Sequence, residues 1–158
     1  GDRTMSRVVV NEIEAKVGND ITFNDTVKID TLKGKTAAGS VTVQGEGTAT
    51  TNLQQGLCKT WANLKGTDTF GLRDSFNVTS ATDNGTGDHT ITIASDMANV
   101  NYSLTSNGAD KNISVLGGTG INGATAPAVG SVRIGSVASN GNDYDHTYFM
   151  IAIHGDLA

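Results

Sequence analysis

Carboxylates, amides and glycines are concentrated in two short stretches of the chain, and these are the residues best suited to bind an ion or a ligand. The first stretch, 82–93, reads TDNGTGDHTITI, and the side-chain oxygens of Asp83, Asn84 and Asp88 are candidate calcium ligands. A calcium loop of this type also needs a distal bidentate Glu, but no Glu follows Glu46. A phosphate loop needs a Lys and a following helix, and this stretch offers neither.

The same stretch is typical of a β-hairpin. Asn and Gly tolerate positive φ, and here they lie between two runs of alternating residues. We therefore predict a hairpin turn over 83–85. The strand that follows should bury Ile91 and Ile93 and expose Thr90 and Thr92, because successive side chains of a strand point to opposite faces.

The second stretch, 140–146, contains potential metal ligands and an aromatic ring. His146 and His154 would lie about 26 Å apart along an extended strand at roughly 3.3 Å per residue, so within one chain they cannot share an ion. A ring of either histidine around an oligomer axis is the alternative. A loop with an aromatic tip is more typical of contacts to sugars or receptors. We predict a receptor-contact loop here, formed by Asn142, Asp143, Tyr144, Asp145 and His146.

A glycine motif at 118–123, GTGING, matches the dinucleotide-binding pattern G-x-G-x-x-G. That fingerprint requires a helix directly after it and an acidic residue about 20 positions further on. The next segment, 124–130, is too short for such a helix and contains the only Pro of the chain. We predict a surface loop at the motif and no bound cofactor.

Nucleophilic catalysis has no recognisable motif in this sequence. There is no G-x-S-x-G, and the single Cys58, although it is followed by Lys59, is more typical of a small buried hydrophobe. One Cys also excludes an internal disulfide and a multi-Cys zinc site. A carboxylate pair for glycoside hydrolysis could occur among 13 Asp. Trp61 could stack on a sugar, but we predict that it packs in the core. We predict no catalytic residues, no metal and no enzymatic activity.

Composition indicates an all-β protein with a thin core. Thr, Ser, Asn and Gly dominate, charged residues make up 17%, and only three Glu are present, a profile that favours strands and turns over helices. A net charge of -5 argues against nucleic acid and anionic membranes as partners. No apolar run approaches the roughly 18 residues of a membrane span. A core this thin is common where identical chains share it, so we expect an oligomer.

Turn signals and alternating residues divide the chain. We expect residues 1–4 to be a cloning remnant, 5–50 to form an extended β-rich arm or stem, 51–56 to be a joint, and 57–158 to form a head. A single helical turn capped by Thr50 or Thr51 is expected in the joint, and a helix over 51–64 is the alternative. The head should contain strands at 57–64, 69–74, 76–80, 89–94, 101–105, 112–116, 131–137 and 148–154.

Short strands at this spacing indicate a β-sandwich, jelly-roll-like, with further turns at Asn107-Gly108 and Asn140-Gly141. The last strand carries Phe149, Ile151 and Ile153 on one face and Met150 and Ala152 on the other. Because both faces are apolar, we expect it to be a central strand or to lie at a subunit interface.

Four segments of this chain resemble virion appendage and tail-fibre-like proteins of marine bacteriophages, cyanophages in particular. The segments are MSRVVVNEIEAK at 5–16, ITFNDTVKI at 21–29, LQQGLCKTW at 53–61 and RDSFNVTSATDNGTG at 73–87. The resemblance implies a homotrimeric, β-rich fibre or knob whose N-terminal part attaches to the virion or forms a stem. It implies a C-terminal sandwich that points outward and carries no catalytic motif. Cys58 stands where related chains often have Ala.

We therefore expect a non-enzymatic structural protein of the virion, assembled in the bacterial cytoplasm, that contributes to host adsorption as a trimeric tail fibre, knob or similar appendage. Its expected partners are copies of itself, other virion proteins bound through the arm, and a glycan or protein of the host surface. A lectin-like carbohydrate-binding module, a capsid decoration protein and a polysaccharide depolymerase are the alternatives.

Overall fold

The computed structural model describes residues 26–34, 41–44, 47–110 and 119–158. The chain divides into two compact units, Gly1–Lys33 and Gly34–Ala158. Residues 26–33, the described part of the first unit, contain no helix or strand. The strand predicted from the alternation of Val27 and Ile29 is therefore wrong: both side chains are largely exposed, so no burial favours an extended pairing. The strands predicted before residue 26 and at 112–116 lie outside the described residues.

The second unit consists of antiparallel strands, which confirms the predicted all-β class. Its described residues contain ten strands and one helical turn, α1, at Leu53–Gly56. The strands are β1 Thr42–Gln44, β2 Thr50–Asn52, β3 Cys58–Lys65, β4 Gly71–Phe76, β5 Val78–Gly85, β6 Asp88–Ile93, β7 Ser103–Ala109, β8 Thr119–Ile121, β9 Ser131–Ser136 and β10 Tyr148–His154. Within the described ranges, no helix has the length and apolar content needed to cross a membrane.

Eight of these strands form two four-stranded antiparallel sheets. The first sheet has the order β4-β3-β10-β7 and the second sheet has the order β5-β6-β9-β8. β1, which falls within the predicted arm, pairs with β2, which begins at the last arm residue and continues into the predicted joint, and both belong to the second unit. β10 is a central strand of the first sheet and pairs with β3 and β7, and β9 is a central strand of the second sheet and pairs with β6 and β8. Except for the pairing of β8 with β9, these ladders join segments that lie far apart in sequence.

Both sheets contribute to one hydrophobic core. Alternate residues of β3, β6, β9 and β10 are buried, as the period-2 geometry of a strand requires. The buried apolar residues are Ala62, Leu64, Ile91, Ile93, Met97, Tyr102, Val132, Ile134, Phe149, Ile151 and Ile153. Ile91 and Ile93 are buried as predicted, while Thr90 and Thr92 lie half-buried on the opposite face.

The last strand is central, as its two apolar faces predict. β10 lies between β3 and β7, with Phe149, Ile151 and Ile153 in the core. Met150 and Ala152 lie half-buried on the outer face of the first sheet. The prediction of a central strand is thus confirmed by the pairing on both sides.

The hairpin between β5 and β6 turns later than predicted. β5 continues through 83–85, and the turn is Thr86-Gly87, where Gly85 pairs with Asp88. Gly87 has φ of 67°, the left-handed conformation that the second turn residue needs and that Gly adopts without penalty. The Asn-Gly pair was therefore the wrong turn signal, and the turn is fixed by the glycine two positions beyond it.

Two further glycine signals form strands instead of turns. Residues 119–121 of the GTGING motif are β8, paired with β9, and not the predicted surface loop. Asn107-Gly108 lies inside β7, where Gly108 pairs with Phe149. A Cβ on Gly108 would lie 2.4 Å from the ring of His146, so glycine is present here for close packing and not for a turn.

The joint is a single helical turn, as predicted, but its cap differs. The Asn52 side chain accepts a hydrogen bond from the Gln55 amide at 3.0 Å, so Asn52 and not Thr50 or Thr51 caps α1. The chain then enters β3, which confirms the strand and rules out the alternative helix over 51–64.

The two ends of the sheets differ in what they carry. At one end, named the joint end, the Gln55 side chain donates to Asp156 at 2.6 Å, which places the start of β3 beside the C-terminal residues. At the opposite end, named the loop end, Gly66 donates to the His146 carbonyl at 3.0 Å. The hairpin tip at Gly87 also lies at the loop end, because Gly87 donates to the carboxylate of Asp145, the residue before His146, at 2.6 Å. The predicted receptor-contact loop is therefore at the end opposite to the joint.

Candidate functional site

The structure separates the five residues of the predicted receptor-contact loop into three environments. Asn142 and Asp143 are exposed, Tyr144 and Asp145 are half-buried, and His146 is 3% exposed. Two bonds fix the middle of the loop to the end of β9, because Tyr144 exchanges hydrogen bonds with Ser136 at 3.0 and 2.6 Å. Direct contact with a partner through this loop is thus available to Asn142 and Asp143, with Tyr144 at its margin.

Asp145 links the loop to the hairpin tip. Its carboxylate accepts a hydrogen bond from the Gly87 amide at 2.6 Å. A Cβ on Gly87 would lie 2.3 Å from the Ser136 carbonyl oxygen and 2.7 Å from the Tyr144 nitrogen. The turn therefore packs backbone against backbone with the loop, and only glycine fits there.

His146 is a buried anchor of the loop and not a surface group. Its Nδ1 lies 2.9 Å from the Asp110 carboxylate, whose other oxygen accepts the Thr147 amide at 2.6 Å. Burial pushes the pKa of Asp110 upward, but the hydrogen bonds from Thr147 and His146 outweigh it, so this pKa lies below its ordinary value of 3.8. A ring of His146 around an oligomer axis would require an exposed imidazole, which this burial does not provide.

His89 is a buried polar group that the sequence interpretation missed. Its side chain is 0% exposed and stacks on Phe70, with ring centroids 4.8 Å apart. Asp83 lies 3.7 Å from Nδ1 and Asp145 lies 3.7 Å from Nε2, so neither ring nitrogen has a hydrogen-bond partner among the described residues. The signal was present in the sequence, because His89 shares the inward parity of Ile91 and Ile93.

Burial determines the protonation of His89. Desolvation lowers its pKa below the ordinary 6.5, although the nearby carboxylates of Asp145, Asp83 and Asp88 pull it upward. A neutral imidazole is therefore held between two carboxylates that are both partly exposed. His89 is thus a packed core histidine whose protonation depends on pH.

We expect the free energy of unfolding to fall as the pH drops below about 6.5. In the unfolded chain His89 takes up a proton near that pH, whereas in the folded chain its lowered pKa keeps it neutral to lower pH. The unfolded state then binds more protons and is favoured, and above the unfolded pKa the contribution of His89 to stability is fully present. Urea unfolding at intervals from about pH 8 to about pH 5 measures this slope.

The control for this measurement replaces a second histidine. His89→Leu should flatten the decline of stability with acidity, because an apolar side chain between Phe70 and Phe149 has no proton to gain. His154→Gln changes a half-buried histidine on the outer face of the first sheet and should keep the wild-type slope. An equally steep decline in His89→Leu would contradict the role given to His89.

The three candidate calcium ligands of the 82–93 stretch are engaged elsewhere. Asp83 accepts the Gly85 amide at 2.9 Å and Asn84 donates to Thr90 at 2.8 Å. Asp88 forms a two-pronged ion pair with Arg133, and the Arg133 hydrogen bond is the main cause of its lowered pKa, with burial opposing it. Each of these residues therefore already has a hydrogen-bond or ion-pair partner within the chain.

The structure also shows the surroundings of Cys58 and Trp61, the two residues considered for nucleophilic catalysis and for sugar stacking. Cys58 is half-buried and its thiol donates to the Thr60 carbonyl at 3.2 Å. The prediction that Trp61 packs in the core is wrong, because it lies half-buried on the outer face of the first sheet, opposite Phe76 of β4. Across the described ranges, no three His, Cys, Asp or Glu side chains lie close enough to hold a metal ion.

A cleft of about 420 Å³ opens at the loop end, beside the exposed part of the loop. Its lining includes Gly87 at the hairpin tip, Gly120 and Ile121 of β8, Gly135 of β9, and Asp143 of the loop. A cleft of this volume falls within the range of small-ligand sites. Sequence interpretation could not find it, because its parts come from segments that are up to 56 positions apart.

Comparison with known proteins identifies no family for this chain. No protein-family model, no curated protein and no solved structure matches the chain.

Proposed function

We propose that this chain is a non-enzymatic structural protein of a bacteriophage virion, a trimeric tail fibre, knob or similar appendage that contributes to host adsorption. In this proposal the two four-stranded sheets form a jelly-roll-like β-sandwich head, and the N-terminal arm attaches the head to other virion proteins. The resemblance of four segments to marine phage appendage proteins supports the assignment, together with one feature of the first sheet.

That feature is a group of aromatic and apolar side chains on the outer face of the first sheet, here named the aromatic face, formed by Trp61, Phe76, Tyr148, Met150 and Ala152. Asn63 and Asp74 lie in the neighbouring row of the same face, beside Met150. Phe76 pairs with Trp61, and Trp61 pairs with Ala152, so the three share one row across β4, β3 and β10. Phe76 is 54% exposed and Tyr148 is 44% exposed. Large aromatic groups on a sheet face are typical of protein interfaces, and we propose that other copies of the chain cover them.

The mechanism proposed for adsorption is multivalent. Three identical heads would present three loop ends in the same direction, with the joint of each head at the opposite end. Weak contacts at single heads then combine, because each further contact is made at a high effective concentration. Such a design requires no strong single site.

The oligomeric state of the purified chain tests this function. Light scattering during gel filtration should give a mass near three times 16.3 kDa. Phe76→Asp places a charge in the aromatic face and should raise the concentration at which the trimer dissociates by about 30-fold or more, as expected for loss of an interface hot spot.

The control for Phe76→Asp is Val100→Asp, which adds the same charge at an exposed apolar residue outside the two sheets. This variant should remain a trimer, and far-ultraviolet circular dichroism should show a folded β protein in both cases. A monomeric wild-type chain would overturn the proposed function. An unaffected trimer in Phe76→Asp would remove the aromatic face as its contact.

A second candidate function is a lectin-like carbohydrate-binding module. The observation that favours it is the cleft beside Asp143 at the loop end. This candidate needs no trimer, so a monomer that binds sugar would select it over the first.

A further inference from the structure

The floor of the loop-end cleft is made of two glycines that face each other across a strand pair. Gly120 of β8 pairs with Gly135 of β9, and Gly135 pairs with Asp88 of β6. Their neighbours His89 and Ile134 point into the core, so by strand alternation Asp88, Gly135 and Gly120 share the outer face of the second sheet. We name this site the glycine-floored cleft.

The fold itself does not require glycine at these two positions. A Cβ on Gly120 would have nothing within 4 Å, and a Cβ on Gly135 would meet Asn122 only at 3.7 Å, an ordinary contact. Neither residue has a positive φ. Gly87 and Gly108 differ, because a Cβ on either would clash with packed groups. Glycine in a strand costs stability, and its presence here keeps a floor of bare backbone open to a ligand.

The groups around this floor favour a neutral ligand with hydroxyl groups. Asp143 brings an exposed carboxylate, and its backbone is fixed next to the cleft by a bridge to Val137. The charge of Asp88 is balanced by Arg133, and among the described lining residues there is no Lys or Arg. Carboxylates accept from hydroxyl donors, whereas an anionic ligand would meet a negative chain with no cation in the cleft.

We propose that the glycine-floored cleft binds a neutral sugar unit, one or two hexose rings in size, which packs on Gly120 and Gly135 and donates hydroxyl hydrogen bonds to Asp143. A volume of about 420 Å³ accommodates a ligand of that size. The proposal rests on the host-adsorption function, and it identifies the contact that each head makes. Binding at one head is weak, with a Kd of about 1 mM or higher, and the affinity of the assembly comes from several heads.

Amide chemical shifts of the full chain, titrated with maltose, lactose and mannobiose, test the cleft. At least one of these sugars should shift the amides of Gly87, Gly120, Ile121 and Gly135 in a saturable manner. Glucose 6-phosphate, the anionic comparison, should shift them less at equal concentration. Asp143→Asn should weaken binding about tenfold, as loss of one charged acceptor predicts.

Gly120→Leu fills the cleft with a side chain that meets open space, so it should abolish the shifts while the protein stays folded. Gly71→Leu is the matched control, since Gly71 is a strand glycine of the first sheet with nothing within 4 Å of its Cβ. This control should bind like wild type.

The outcomes separate the two proposals. A trimer whose cleft amides respond to none of the neutral sugars overturns the cleft proposal and leaves the virion function standing. A monomer that binds sugar in the cleft supports the cleft and overturns the trimeric appendage. Sugar binding that survives Gly120→Leu overturns the assignment of the site. Stronger binding of glucose 6-phosphate than of the neutral sugars overturns the assignment of the ligand class.

Discussion

Replacing Gly87 with alanine is expected to destabilise the second unit by about 3 to 5 kcal/mol. Two effects add at this position. The residue has φ of 67°, a conformation that costs an L-residue about 1 to 2 kcal/mol. Its Cβ would also lie 2.3 Å from the Ser136 carbonyl oxygen, a backbone atom that cannot move without displacing β9 or the hairpin.

The displaced hairpin has a further consequence at the loop. Gly87 donates to the Asp145 carboxylate at 2.6 Å, and a shift of the turn breaks this bond as well as the bond from Ser136 to the Gly87 carbonyl. We therefore expect Gly87→Ala to loosen the loop before Tyr144 even where the chain stays folded. Hydrogen exchange of the Ser136 and Tyr144 amides would report that change.

Gly141→Ala is the matched control for Gly87→Ala. Gly141 also has a positive φ, 81°, but a Cβ there would have nothing within 4 Å. It should cost only about 1 kcal/mol. The difference between the two variants in urea unfolding measures the close approach alone, and equal losses would show that the contact with Ser136 contributes nothing.

Asn77→Ala is expected to cost about 2 to 3 kcal/mol because one side chain ties the two sheets together. Asn77 lies between β4 of the first sheet and β5 of the second sheet. Its side-chain oxygen accepts the Ser95 amide at 2.7 Å, and its amide group lies 3.1 Å from the carbonyls of Lys59 and Ser95. Alanine leaves these backbone groups without a partner.

The backbone of Asn77 provides an internal control, because its φ of 57° favours Gly and Asn over Ala. Asn77→Gly removes the same hydrogen bonds but relieves the strain, so it should be about 1 kcal/mol more stable than Asn77→Ala. Asn77→Asp keeps the acceptor but turns a carboxylate oxygen toward two carbonyls, and should be no better than alanine. A loss of unfolding free energy below about 1 kcal/mol in all three variants would show that the connection between β4 and β5 does not depend on the Asn77 side chain.

Local patterns in the sequence predicted the features that depend on local geometry. The alternation of Phe149, Ile151 and Ile153 identified a central strand, and that of Ile91 and Ile93 identified an inward face. Both follow from the period of a strand, which each residue carries regardless of its partner. The helical turn of the joint was also predictable, since Gly56 limits it.

Features that depend on distant segments were not predictable in this way. The turn lies at Gly87 and not at the predicted 83–85, because the loop near Ser136 and Tyr144 packs against Gly87. β8 is a strand because β9 pairs with it, although its own residues read as a glycine loop. His146 is buried because Asp110 provides a hydrogen-bond partner for its ring and Gly108, which has no side chain, leaves space for the ring. In each case the deciding contact comes from another part of the chain.

The joint and the cleft lie at opposite ends of the two sheets, and this arrangement sets the direction of a force applied between them. The joint leads into β3 at the joint end, and the cleft lies at the loop end, so under the proposed function a load between attachment and bound ligand would run along the strands. β3 is flanked by β4 and β10, and its ladder bonds lie across the direction of force. An axial load therefore stretches these bonds in shear, many at once, instead of peeling them one by one. The second unit should resist traction along its strands far better than traction that separates β4 sideways from the sheet edge.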